Sequence, residues 1–123
     1  MHPRGDEFAF LSGDGPALKE AFVTHGPAML DRLMQRARVT FDDADRILVH
    51  QVGVPYHHEM LRASGIPCEK VECTVAEFGN MASASLPAAH ARAMDSGRIT
   101  SGQRVMWVGM ASGMSVGLLV IDT

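Results

Sequence analysis

The chain has 123 residues, the length of one ordinary domain, and 11 basic against 14 acidic side chains give a net charge of −3. That balance excludes the basic field of a nucleic-acid or anionic-membrane binder, and 46% hydrophobic against 20% charged residues excludes a disordered tail. No apolar run approaches the roughly 20 residues of a spanning helix.

The start, Met1 to Glu7, lacks the apolar stretch of a signal peptide, so the cytoplasm is the expected compartment. Residues 1–15 are otherwise polar and Gly-rich, and Phe8-Ala9-Phe10-Leu11 is a short apolar run that fits one strand end. From Pro16 the pattern is helical, with Leu18, Phe22, Met29, Leu33 and Met34 forming an apolar stripe. Pro27 has no N–H for Val23, so a kink or a restart is expected there. Thr40 to Asp45 reads as a capped turn, and Arg46 to His50 as one short buried strand. Pro55 opens the next helix where its missing N–H costs nothing, and Gly65 with Pro67 closes it.

Val71 to Val75 reads as extended, Gly79-Asn80 as a turn, and Ser83 to Met94 as an Ala-rich helix ended by Gly97. Two apolar strands, Arg104 to Val108 and Val116 to Ile121, flank the small-residue turn Gly109-Met110-Ala111-Ser112-Gly113. This order of helices and strands describes an α/β layered domain. Three strands are little sheet for helices with such apolar stripes. The expectation is a fragment, or a subunit completed by another polypeptide.

Three constellations offer chemistry. His50-Gln51 lies at the C-terminal end of a buried strand, the edge where α/β proteins gather ligands. His50 is there either a satisfied structural histidine or a hydrogen-bond donor and general acid–base group. Asn80, just ahead of a helix, is either its N-cap or an amide donor to a developing oxyanion. The Gly109 to Gly117 turn is not a phosphate-binding glycine pattern, because a strand follows it. It is either a plain β-turn or a close approach of a backbone N–H, such as that of Ser112, to a carbonyl oxygen.

Other signals are weaker. His57-His58-Glu59 lacks the spacing of a metal motif. The two cysteines, Cys68 and Cys73, cannot form a disulfide framework and lack zinc-knuckle spacing. Cys68 follows a helix C-terminus, where the dipole disfavours a thiolate, and Cys73 is expected in a buried extended segment. His25 and His90 fit ordinary surface or core positions. The nine methionines fit a soft, adaptable interior.

Together, Val49-His50-Gln51, Glu69-Lys70-Val71 through Gly79-Asn80, Ser83-Ala84-Ser85-Leu86-Pro87 and Gly97-Arg98-Ile99-Thr100-Ser101-Gly102-Gln103 resemble the C-terminal half of a thiolase-fold condensing enzyme of the 3-oxoacyl-ACP synthase III group. The resemblance covers about residues 16–123, with 1–15 as a partial lead-in. His50-Gln51-Val52 and the Ser112-Gly113 turn look more like the OleA branch, which joins two acyl thioesters by a non-decarboxylating Claisen condensation.

The resemblance implies a partial thiolase-like fold and an acyltransferase activity on acyl-CoA or acyl-carrier-protein thioesters, with no other cofactor. It implies that His50 and Asn80 hold the second thioester carbonyl and stabilise its enolate. The Ser112 N–H would join that of a nucleophilic cysteine in an oxyanion hole, where such donors are worth roughly 3–4 kcal/mol each. The family's cysteine belongs to an N-terminal half absent from these residues, and the complete fold is expected to be a dimer. The chain is therefore expected to be inactive alone. The alternative is a non-catalytic thiolase-fold binding or scaffold subunit.

Overall fold

The structure, a computed structural model, describes residues 13–123. The strand end expected at Phe8 to Leu11 lies outside the described residues. Helix α1 (Gly15–Ala37) begins where the Asp14 carboxylate accepts the Ala17 N–H at 3.0 Å, and ends at Arg38 in the left-handed conformation. It runs through Pro27 as one helix, so the restart expected there does not occur. Tertiary packing outweighs the lost hydrogen bond: Phe22, Gly26 and Leu30, at spacings of four, are buried along one face. Gly26 permits the close approach, since a Cβ there would sit 3.2 Å from the Met60 Cε.

A 3-10 turn (Phe41–Asp43) with a Thr40/Asp43 capping box leads into strand β1 (Arg46–Val49). Helix α2 (Val54–Ser64) carries a proline in its first turn and ends at Gly65, whose φ of 64° is the left-handed conformation that favours glycine. The next segment departs from a simple extended run. Residues Cys68–Lys70 form a 3-10 turn, Val71 makes a lone parallel bridge with Ile47, and a single helical turn, α3 (Val75–Phe78), starts almost at once. Helix α4 (Ser85–Asp95) follows a 3-10 turn at Ala82–Ala84.

Strands β2 (Arg104–Ala111) and β3 (Ser115–Asp122) are longer than the apolar runs alone imply. Gly109, Met110 and Ala111 belong to the ladder, opposite Gly117, Val116 and Ser115, because Met110 is buried in the core and the two glycines pair cross-strand. The turn shrinks to residues 112–114, with positive φ at Gly113 and Met114. The sheet order is β1-β2-β3, with β1 parallel and β3 antiparallel to β2.

Alternation along the strands separates two cores. Ile47, Val49, Met106, Val108 and Met110 pack under α1 and α2, while Leu48, Val105 and Trp107 meet Ala89 and Ala93 of α4. The result is an α/β/α sandwich. On the α4 side β3 is poorly covered, and Leu119 is 52% exposed. No helix among the described residues is long and apolar enough to cross a membrane.

His57 on α2 is buried, and neither of its ring nitrogens has a hydrogen-bond partner among the described residues. Burial, aided by the neighbouring His58, holds its pKa below the ordinary value. The unfolded imidazole therefore takes up a proton, below about pH 6.5, that the folded one resists. The stability tied to His57 is complete above that pH and is lost as the pH falls. Thermal melting at about pH 7.5 and 5.5 is expected to show a smaller acid loss in His57→Phe than in the unsubstituted chain. Equal losses would contradict this.

Candidate active site

The ends of all three strands define one cleft. At the C-terminal end of β1 and along the β2–β3 hairpin, the sheet borders an open cavity of about 910 Å³. Its apolar wall includes Leu18 and Phe22 of α1, Tyr56 of α2, Val52, Leu86 and Met110. The cross-strand pair Gly109 and Gly117 leaves part of this wall without side chains. A Cβ on Gly117 would meet nothing within 4 Å, and one on Gly109 would make ordinary contacts with Leu86 at 3.7 Å and the Gly117 carbonyl at 3.9 Å. The glycines thus keep space open; close packing does not demand them. A largely apolar cleft with a few polar groups suits a ligand with a hydrocarbon portion.

His50, Asn80 and Ser112 all line this cleft. His50 continues the β1 ladder by donating its N–H to the Val108 carbonyl at 2.9 Å. Its ring is half-buried, and burial holds its pKa below the ordinary histidine value. The imidazole is consequently neutral at pH 7, with one nitrogen able to donate and the other to accept. Asn80 is not the N-cap of α4, whose N-cap is Ala84. Its Oδ1 instead accepts the Ala82 N–H at 2.9 Å in a tight turn. That bond orients the carboxamide and leaves the Nδ2 hydrogens as donors. Ala82 has a φ of 50°, a left-handed conformation unusual for a residue with a Cβ. Ser112 opens the three-residue hairpin turn.

Gln51, beside His50, is the residue whose part the motif did not reveal. It is buried, its Nε2 donates to the Glu72 carbonyl at 2.8 Å, and its Oε1 accepts the N–H groups of Thr74 and Val75 at 2.8 and 2.7 Å. A polar residue two positions past a largely buried strand was the only signal available.

The remaining candidates stay away from the cleft. Cys73 is exposed, not buried as expected: Glu72 and Thr74 on either side of it turn inward, and Cys73 faces out. Cys68 is exposed as well, and neither thiol lines the cleft. No cluster of metal-ligating side chains occurs among the described residues, and Glu59 instead pairs with Lys19 at 2.7 Å. His90 accepts the Trp107 Nε1–H at 3.0 Å, a structural pairing against β2.

Residues 34–123 match the model of the C-terminal domain of 3-oxoacyl-[acyl-carrier-protein] synthase III. The chain belongs to the 3-oxoacyl-ACP synthase III family. Among its relatives, the β-ketoacyl-[acyl-carrier-protein] synthase III 1 of Bacillus cereus is 28% identical over 120 residues, covering 98% of this chain and 38% of that protein. The corresponding synthase of Thermosynechococcus vestitus is 28% identical over 110 residues, covering 89% of this chain and 33% of the relative. The fold matches the 3-oxoacyl-[acyl-carrier-protein] synthase III of Aquifex aeolicus with a TM-score of 0.82 at 22% identity, over 96% of this chain and 38% of that one. It also matches a crystal structure of Xanthomonas campestris OleA with a TM-score of 0.81 at 23% identity, over 89% and 32%. The thiolase-like α/β fold expected from the motifs is therefore the fold observed. The chain spans under two fifths of the length of these family members.

The open patch at Gly117 offers a direct test of the cleft. Gly117→Leu is expected to weaken binding of an apolar fluorescent probe, anilinonaphthalene sulfonate, by about tenfold while leaving the melting temperature nearly unchanged. Unaltered probe binding in a folded variant would show that the cleft is not where apolar ligands go.

Proposed function

We propose that this chain supplies one part of an acyl-thioester condensing site, with the nucleophilic cysteine carried on a separate segment or polypeptide. The observation that carries the reading is the lining of a single apolar cleft by His50, Asn80 and Ser112 in a member of the synthase III family. The substrates are acyl-CoA or acyl-carrier-protein thioesters, and the chemistry is of the OleA-like Claisen type.

In this mechanism the cysteine thiolate attacks the first thioester and holds its acyl group. The Ser112 N–H donates to the acyl oxygen, together with the N–H of the cysteine. Neutral His50 and the Asn80 amide donate to the carbonyl oxygen of the second thioester. As its α-carbon gives up a proton to a base supplied from outside these residues, the electron pair left behind moves to that oxygen, where two placed donors stabilise the negative charge. The α-carbon then forms a bond to the acyl carbon, and the C–S bond to the cysteine breaks. A neutral histidine can fill this role because one of its ring nitrogens carries a hydrogen to donate.

The incomplete sheet makes the same demand as the chemistry. Leu18, Val52, Val54 and Phe78 are exposed large apolar side chains, and Leu18 and Val52 also line the cleft. A cysteine-bearing partner covering this region would bury them and close the site, and the completed fold would act as a dimer. The isolated chain should accordingly associate or aggregate in sedimentation.

With the cysteine-bearing segment present, His50→Ala should cut condensation about a hundredfold or more while acylation of the cysteine persists, as read by intact mass after exposure to acyl-CoA. Asn80→Ala should divide the two half-reactions in the same way. Equal loss of acylation and condensation would show that both roles are misassigned.

A further inference from the structure

We infer that Gln51 is a positioning residue whose carboxamide sets the place of Asn80 on the cleft that His50 lines. The geometry stands by itself; its consequence for condensation rests on the function proposed above.

The single-turn helix α3 has no side-chain cap of its own at Thr74. Its first N–H groups, those of Thr74 and Val75, go instead to the two lone pairs of the Gln51 Oε1. The Gln51 Nε2 fixes the chain just upstream through the Glu72 carbonyl. From this anchor the bonds run onward. The Thr74 carbonyl accepts the N–H groups of Glu77 and Phe78 at 3.0 and 2.9 Å, and the Val75 carbonyl accepts that of Gly79 at 2.9 Å. Asn80 is the next residue.

One residue upstream of Gln51, the His50 N–H is tied to β2. Adjacent residues thus hold the two side chains of the cleft, one directly and one through three buried hydrogen bonds. A carboxamide fits this task because it offers two acceptor sites and a donor without bringing a charge into the interior. Leucine has the size but none of the bonds. A carboxyl group reproduces the donor and acceptor pattern only when protonated, since an ionised carboxylate faces the Glu72 carbonyl with no hydrogen to give.

The test compares Gln51→Leu and Gln51→Glu with the unsubstituted chain, in the presence of the cysteine-bearing segment. Gln51→Leu should lower condensation about tenfold or more while cysteine acylation stays within about twofold. The amides of Thr74 and Val75 should exchange with solvent about tenfold faster, and the Asn80 side-chain amide resonances should shift. Gln51→Glu should recover condensation relative to the unsubstituted chain as the pH falls from about 8 to 6, a profile that a packing role would not produce. Unchanged exchange at Thr74 and Val75 would overturn the inference, as would a pH-independent ratio for Gln51→Glu. If the unsubstituted chain and its partner segment show no condensation, the functional reading fails. The exchange rates and Asn80 resonances then still decide whether Gln51 sets that residue's place.

Discussion

The structure hangs on the parallel pairing of β1 with β2. Ile47, Leu48 and Val49 are almost wholly buried, and side chains from this one short strand enter both cores. Such a strand has no freedom of register, because a slip of one residue would exchange its two faces. Everything on the cleft follows from that constraint. His50 is the first residue past the strand, Gln51 the second, and the carboxamide of Gln51 carries the fixed register across to Thr74 and Val75. The hairpin that holds Ser112 begins from the strand to which β1 is paired.

The cleft is neutral in its chemistry. Among the described residues Lys19 is the only charged one along it, and its ammonium is engaged by Glu59. Charge developing on a bound carbonyl oxygen would therefore meet dipoles: an imidazole, a primary amide and a backbone N–H. Such groups need little reorganisation when negative charge appears, which is the requirement for stabilising a transient oxyanion in an apolar setting. The paired glycines at 109 and 117 keep the wall beside them open.

Much of this was legible in the residues because it depends on local rules. Gly65 past α2, the Thr40/Asp43 capping box and the apolar run before His50 each carry their own physical reason. What was hidden depends on long-range contacts. Pro27 sits inside an unbroken helix because α1 packs closely on α2 at Gly26, a contact that no helix rule contains. Asn80 bonds within its own turn instead of capping α4, because a 3-10 turn intervenes and shifts the helix start to Ser85. Cys73 is exposed in a segment that runs from the lone bridge at Val71 into a helical turn whose first N–H groups are accepted by Gln51, more than twenty residues away. A glutamine side chain acting as a helix cap across such a separation leaves no pattern in the sequence.

The central claim is that the cleft is completed by a cysteine from outside these residues, and the two thiols of the chain provide its most direct test. Both are exposed and neither lines the cleft. The purified chain should be incubated with an acyl-CoA, then followed by intact mass, peptide mapping and product detection. The account predicts no acyl group on Cys68 or Cys73 and no condensed product, with both the acyl-enzyme and product arising once the cysteine-bearing segment is added. Acylation of Cys68 or Cys73 accompanied by turnover of the chain alone would contradict it.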